Sequence, residues 1–526
     1  MSFFEKMTTA FEHYATKNFD AALTLIDEME KSAPDVKRVF MLEAWIYFER
    51  GEYLRAFDVL IKLLPRLDLS LPYEKLWAAQ TTNRLGQICD VLSLTAEAVN
   101  FYRIAARLHH EIPKICASMS NAIFVANALE NFSREDFNEL YAEYKNFLSD
   151  IVPFEPKTYN HKKIRVGFLS ADFHQHPVTY WSFALLTQLD KKFFDTYFYS
   201  AHSFVDDMTQ TIQATAHEWR DIEKLSDENA AKIIRDDEID ILFDLSGHTA
   251  GNRLRVAAYR PATVQISGIG YINSTGLDCF DYFLSDVHCA GDESWFTEKL
   301  IRMPQTHFCY NSQLTKVEHA TEPPCLRKGY VTFGSFNNFV KVTDNMLSVW
   351  KKILDRVPNS RLLLKHKVFN SDDSKNFISE RLKTLGFDVS RVDMRGYSFD
   401  YLEQYNEMDI ALDTFPYTGG VTTCEALWMG VPVVSLYGDN HGTRFGLSML
   451  TNVGLPELAV DNVDEYISRA VMLANDFELL TLLRRNLRGM MKKSPLMDGN
   501  AYVREIEKIF AEILLDAQKR YLRDKR

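Results

Sequence analysis

Residues Thr418-Gly-Gly-Val-Thr-Thr-Cys-Glu-Ala-Leu-Trp-Met-Gly-Val-Pro-Val-Val-Ser-Leu436 read as a polar Gly/Thr turn, a short helix and a buried strand. Such a turn leaves backbone N–H groups at a helix N-terminus, where the helix dipole favours an anion such as a diphosphate. Glu425 follows about one turn into the helix, within reach of a ribose hydroxyl beside that diphosphate. Gly419 and Gly420 can equally form only a tight turn, with Thr422 and Thr423 only capping the helix. The segment in front favours a ligand: Met408 to Asp413 reads as a strand whose carboxyl end delivers the loop, and open α/β sheets bind ligands there.

The same alternation extends outward from this unit. Lys163 to Ser170, Phe193 to Ser200 and Ile239 to Leu245 have strand composition, with helical stretches near 177–190 and 227–236. After the loop-like segment 310–328 the pattern restarts: strand Val331 to Phe336, helix Met346 to Arg356, strand Arg361 to Lys365, helix Ser374 to Leu385. This predicts an α/β architecture of two doubly wound Rossmann-type domains, at 160–320 and 328–500, with a ligand cleft between them. A long amphipathic helix from Ala501 to about Leu522, within a terminal segment 501–526, is expected to pack back on this core.

Residues 1–150 are of another kind, helical throughout. Asn18 to Leu23 recurs as Glu52 to Phe57, which places Ala22 and Ala56 34 residues apart. That is the tetratricopeptide period, in which small residues let paired helices approach closely. Leu94 to Val99 is a looser third copy, so an unrelated helical bundle stays open as the alternative.

At 526 residues several domains are expected, and 46% hydrophobic with 25% charged residues is ordinary globular composition. The 72 acidic against 60 basic side chains argue against nucleic acid as a partner. The opening residues lack a signal-peptide pattern and no run is long enough to span a membrane, so a cytoplasmic protein is expected. The seven cysteines are scattered without a C-x-x-C pair, and neither a metal site nor a disulfide framework is expected from them.

Candidate chemistry lies on the strand-end loops. His174 and His176, in Asp172-Phe-His-Gln-His-Pro177, follow the first strand of the first domain, where an imidazole can move or hold a proton. They can also be ordinary surface or capping histidines. His248, in Ser246-Gly-His-Thr-Ala-Gly251, either lines the acceptor side of the cleft or bonds to backbone in a turn. Lys341, in Phe336-Asn-Asn-Phe-Val-Lys341, is a point charge suited to a pyrophosphate, and a cation at a helix start is otherwise slightly unfavourable. Lys365 and Lys367, around His366, form a weaker pair. There is no Asp-x-Asp in a sugar-nucleotide context and no G-x-x-x-x-G-K-[ST] motif, so a metal-held diphosphate and a P-loop are not expected.

Together, Asp172 to Pro177, Gly247 to Asn252, Arg260 to Gln265, Gly270-Tyr271 with Thr275-Gly276, Glu298 to Leu300, Phe336 to Lys341, Asp413 to Tyr417, Val421 to Glu425 and Ser494 to Leu496 resemble one family. It is the O-linked N-acetylglucosamine transferase and SPINDLY-like glycosyltransferases, family 41, and the resemblance covers roughly residues 163–515. It implies a GT-B enzyme behind TPR-like helical repeats, moving a sugar from a nucleotide donor to serine or threonine hydroxyls with inversion and no metal or other cofactor. On this analogy His176 lies beside the donor sugar and acceptor and Lys341 contacts the diphosphate. Asn338, Gly419, Gly420, Thr422, Thr423 and Glu425 then hold the donor, and His174, His248, Tyr271 and Lys367 are acceptor-side or secondary.

Asn338 stands where the animal enzyme has glutamine, and Cys424 lies within the stretch that replaces its His-Thr-Thr-Gly-x-Asp pattern. Both look more like the SPINDLY branch, whose plant members use GDP-fucose, so UDP-linked GlcNAc or another hexose and GDP-fucose both stay open as donors. Positions 398, 401 and 404 hold Ser, Tyr and Gln in place of Lys, His and Arg. The short repeat region resembles a bacterial member, whose repeats would bind an acceptor protein, for instance a secreted or surface protein such as flagellin or an adhesin. A non-catalytic scaffold with a degenerate transferase region, and a GT-B enzyme acting on a lipid or small molecule, are the competing readings.

Overall fold

The computed structural model describes residues 1–311 and 317–524. Residues 312–316 of the loop-like segment 310–328, and the last two residues of the terminal segment, lie outside the described residues. The chain forms two compact units, one of 1–129 with 336–351 and 363–399, the other of 130–335 with 352–362 and 400–526.

The N-terminal region is helical, and its recurrence is visible in the backbone. Helices Phe3–Ala15, Lys37–Glu49 and Pro72–Val91 are each followed by a left-handed residue, Lys17 (φ 58°), Gly51 (φ 76°) and Ser93 (φ 60°). Each turn closes with the same hydrogen bond: Asn18 N–H to the His13 carbonyl, Glu52 to Tyr47 and Leu94 to Cys89, all 2.8 Å. This pattern caps carbonyls that the helix end leaves unsatisfied. The partner helices Phe19–Ser32, Tyr53–Leu63 and Thr95–Leu108 then bury Ala22, Ala56 and Ala98 completely. Alanine at that position lets paired helix axes approach closely.

Two parallel sheets follow. The first contains β1 (Ile164–Ser170), β2 (Phe194–Ser200), β3 (Glu218–Asp221), β4 (Ile241–Asp244), β5 (Val264–Gly268), β6 (Tyr282–Asp286) and β7 (Lys299–Met303), in the order β3-β2-β1-β4-β5-β6-β7. The second contains β8 (Thr332–Ser335), β9 (Arg361–Lys365), β10 (Val392–Arg395), β11 (Ile410–Leu412), β12 (Val433–Leu436) and β13 (Ala459–Val460), in the order β10-β9-β8-β11-β12-β13. Strands such as β4 and β12 are buried at every residue, as a sheet covered on both faces requires. The order reverses between β1 and β4 in the first sheet and between β8 and β11 in the second, which opens a crevice at the carboxyl ends of those strands.

The C-terminal helix spans Gly499–Asp524. Phe510 packs against Phe194 and Phe243 at ring separations of 6.4 and 6.3 Å, and Glu507 accepts the Asp190 N–H at 2.7 Å. The helix therefore returns to the first sheet, contributing the apolar face that its sequence pattern foreshadowed.

Candidate active site

The loop after β11 is organised by one buried carboxylate. Asp413 accepts N–H groups from Thr414 (2.9 Å) and Gly419 (2.6 Å) and the Ser435 hydroxyl (2.7 Å). Its own carbonyl accepts the Tyr466 hydroxyl at 2.8 Å, and Thr418 donates to the Gly442 carbonyl at 2.8 Å. A Cβ at Gly446 would collide with Ser435 and crowd the Asp413 carboxylate, so the close approach requires glycine there. The loop then enters helix Val421–Trp428 at Gly420, an N-cap residue that makes no side-chain hydrogen bond to the helix start. Thr422 and Thr423 occupy its first turn.

Glu425 is 5% exposed, and burial pushes its carboxyl up to about 7 despite hydrogen bonds from Tyr401 and Tyr405 that act the other way. The Tyr401 hydroxyl donates to Glu425 Oε1 at 2.7 Å, and the Tyr405 hydroxyl donates to the Thr422 carbonyl at 3.3 Å. Burial, and after it the Glu425 carboxylate, raises the phenols of Tyr180, Tyr310 and Tyr405. Glu425 thus sits among four tyrosines from three segments of the chain, a setting that its sequence neighbours do not announce. A group poised near neutrality in a crevice is a feature of functional sites.

Helix Pro177–Gln188, which follows β1, brings the first sheet's loop to this place. Trp181 lies 3.7 Å from where a Cβ on Gly420 would stand. His176 is the N-cap of the same helix: its Nδ1 accepts the Val178 N–H at 3.4 Å and lies 3.5 Å from Asp172 Oδ1. Burial holds the imidazole down at about 4, so it is neutral near pH 7. With Nδ1 occupied as an acceptor, the neutral ring carries its proton on Nε2, which makes it a hydrogen-bond donor in this arrangement. Its neighbour His174 lies 5.4 Å from His176 and 5.6 Å from His202, which stands in the loop after β2 and carries no motif in the sequence. Asp172, raised to about 6 by burial, has its Oδ2 buried without a hydrogen-bond partner among the described residues.

His248 resolves toward the backbone-bonding alternative. It is fully buried, its Nε2 donates to the Thr275 carbonyl at 2.8 Å, and its ring packs between Tyr141, Tyr144 and Tyr271. Tyr271 is 1% exposed and lies against Gly247, whose φ of 52° and crowding by that ring leave no room for a Cβ. Both are interior groups that shape the loop after β4, and neither lines an acceptor surface.

Lys341 belongs to a 3₁₀ turn, Phe339–Lys341, whose N-cap is the exposed Asn338. The helical repeats hold this turn. Ser93, at the third left-handed position, donates to the Val342 carbonyl at 2.9 Å, and Arg381 stacks over Phe339 at 5.9 Å and donates to the Val342 carbonyl at 3.3 Å. Lys365 is occupied structurally, donating to the Gly396 carbonyl and the Ser398 hydroxyl at 2.7 and 2.8 Å. Lys367 is exposed and lowers the carboxyl of Asp90, which burial raises to about 6. It faces the helical repeats, a setting for an anchoring charge.

β8 and β11 run parallel, with Phe333 opposite Ile410 and Gly334 opposite Ala411. The loops after β8 and β11 therefore leave neighbouring strand ends. Two helix-covered parallel sheets with loops converging at their carboxyl ends form the GT-B-like architecture of nucleotide-sugar glycosyltransferases. The chain belongs to glycosyl transferase family 41, whose model matches residues 150–323 and 317–506.

Among relatives, the tomato (Solanum lycopersicum) protein described as a probable UDP-N-acetylglucosamine–peptide N-acetylglucosaminyltransferase SPINDLY is 38% identical over 383 residues. That match covers 71% of this chain and 40% of the tomato protein. The Arabidopsis thaliana SEC protein is 27% identical over 66% of this chain and 37% of its own length. A solved mutant of the Thermobaculum terrenum O-GlcNAc transferase superposes with a TM-score of 0.85 at 27% identity, covering 99% of this chain and 98% of that one. The chain spans about two fifths of the length of the curated SPINDLY relatives.

Proposed function

We propose that the protein is an inverting, metal-independent O-glycosyltransferase that moves a hexose from a nucleotide-sugar to serine or threonine hydroxyls of an acceptor protein. The observation that carries this reading is the start of helix Val421–Trp428, fixed by Asp413 and placed against Trp181 of the helix that His176 begins. Amides at that helix start and the Lys341 ammonium together stabilise the negative charge that develops on a departing diphosphate. His176, neutral and donating from Nε2, orients the donor or acceptor oxygens, and the proton lost by the acceptor hydroxyl passes to another acceptor such as water or a phosphate oxygen.

The curated relatives' names, which state peptide acceptors and an N-acetylglucosaminyl donor, support this substrate class. A GDP-fucose donor is the second reading. It rests on Asn338 and on Cys424 in the Val421–Glu425 stretch, where the sequence looks more like the SPINDLY branch than the animal enzyme. The helical repeats, with their paired faces, are the surface that recruits the acceptor.

The test is to incubate the protein with nucleotide-sugar and a cell extract and to map modified residues by mass spectrometry under electron-transfer fragmentation. Hexose, N-acetylhexosamine or deoxyhexose on serine and threonine is the expected result. The glycosidic linkage should be of opposite anomeric configuration to the donor. Sugar on lipid alone would overturn the protein-acceptor reading, and a retained anomer would overturn inversion.

A further inference from the structure

Away from the proposed donor site, three loops bring Cys289, His307 and His441 together, each almost fully buried. One ligand atom from each lies within 4.8 Å of the others. Cys289 follows β6, His307 follows β7 and His441 follows β12, so no local sequence spacing reveals the cluster.

The hydrogen bonds decide which nitrogens face inward. His307 Nδ1 donates to Asp286 Oδ2 at 2.6 Å, and Asp286 is itself held by the N–H groups of Cys289 (2.7 Å) and His307 (3.0 Å) and by the Ser448 hydroxyl (2.8 Å). His441 Nδ1 bonds the Ile272 carbonyl at 3.0 Å, and a carbonyl can only accept, so the proton is on Nδ1. In both rings Nδ1 is taken up by these bonds, which leaves Nε2 as the nitrogen available to a ligand. His441 Nε2 is buried without a hydrogen-bond partner among the described residues. Apolar rings wall the site: Phe283, Phe296 and Phe445 ring His441 at 5.1–5.8 Å, Phe308 packs on His307 at 3.8 Å, and the Cys289 thiol donates to the Arg444 carbonyl at 3.4 Å. A buried acceptor left unmatched in such a box is costly unless something electrophilic occupies it.

We propose that Cys289, His307 and His441 form a structural site for a zinc-type divalent ion. Two imidazole nitrogens and a thiolate suit zinc and exclude the oxygen-seeking magnesium and calcium. The Asp286–His307 and Ile272–His441 bonds are the orienting contacts that metal-bound histidines usually make through their second nitrogen. Tetrahedral coordination needs ligand atoms on the order of 3.5 Å apart, so the three loops close by about an ångström around the ion. Cys289 releases its proton to solvent on binding, and a water completes the fourth position. The ion would fasten the β6 and β7 loops to the β12 loop, which already meet where Arg444 Nε donates to the His288 carbonyl at 2.8 Å and Asp292 N–H to the Asp439 carbonyl at 3.0 Å.

The test uses the full chain produced in cells grown with added zinc or, separately, added cobalt, so that the ion is present while the core closes. Metal content is read by mass spectrometry and the cobalt form by absorption; neither readout depends on transferase activity. Wild type should carry one ion per chain, and its cobalt form should show a thiolate-to-cobalt charge-transfer band. Cys289→Ala should lose the band and at least tenfold in metal affinity, as should His441→Phe, with folding checked by circular dichroism. A folded wild type that retains no more zinc than Cys289→Ala, or whose cobalt form lacks the band, overturns the site. Because the wild-type spectrum alone is decisive, a variant that fails to fold does not rescue the idea.

Discussion

The Tyr401 hydroxyl lies 2.7 Å from Glu425 Oε1 and donates to it, closing a partly buried pair on the helix proposed to bind the donor. Burial raises the Glu425 carboxyl from 4.5 to about 7 in the fold. Between those values the native state binds more protons than the unfolded chain, so stability falls as pH rises through this window and stays reduced above it. Glu425→Gln removes the titration. Relative to wild type it should gain stability between pH 5 and pH 8, by at most roughly 3 kcal/mol. Urea denaturation at both pH values measures this, and a difference that does not change with pH would contradict it.

His176 is expected to act as a positioned donor. His176→Ala should lower turnover by roughly 10²-fold with little change in donor affinity. With its imidazole at about 4, the wild-type rate should show no limb near pH 6.5 from this residue. An activity limb at that pH that vanishes in the variant would restore a base role.

Under the proposed mechanism Lys341 is the fixed cation at the donor site and no metal is needed there. A charge-assisted contact contributes about 1.5–3 kcal/mol, so Lys341→Ala should cost at least about ten- to a hundredfold in turnover. Brief EDTA treatment should leave the wild-type rate unchanged, since an ion enclosed by Cys289, His307 and His441 is shielded from the chelator. Inhibition by EDTA that Mg²⁺ or Mn²⁺ reverses would contradict the mechanism, and near-normal turnover in the alanine variant would remove Lys341 from it.

The helical repeats cannot be treated as a detachable arm, because Ser93 holds the Val342 carbonyl beside the Lys341 turn. Ser93→Ala should lower stability by about 1–2 kcal/mol. Removing residues 1–129 should weaken nucleotide binding as well as acceptor transfer. A well-folded truncation with unchanged nucleotide affinity, by calorimetry, would show that the turn stands without its helical support.

Where a function needs only local pattern, the sequence displays it. The Gly419-Gly420 turn, the strand before it and the restart of alternation after 328 follow from periodicity and turn chemistry, and the two parallel sheets match that reading. The 34-residue spacing of Ala22 and Ala56 likewise marks two buried helix contacts, although the left-handed Lys17 and Ser93 at equivalent turns carry no glycine signal. What escapes is assembled from distant segments. Tyr401 looks like an ordinary loop residue until it meets Glu425, and scattered cysteines appear inert until Cys289 meets two histidines. His248 shows the reverse: a polar loop suggests a cleft, while Tyr141 and Tyr144, well upstream in the chain, cover it.

Presenting the purified protein with a panel of UDP- and GDP-linked sugars, and following release of the nucleoside diphosphate, tests the central claim most directly. One donor should be hydrolysed slowly without acceptor, and Lys341→Ala should depress that rate at least about tenfold. A protein that neither hydrolyses nor binds any donor in the panel, while remaining folded, would contradict the glycosyltransferase account and leave a scaffold in its place.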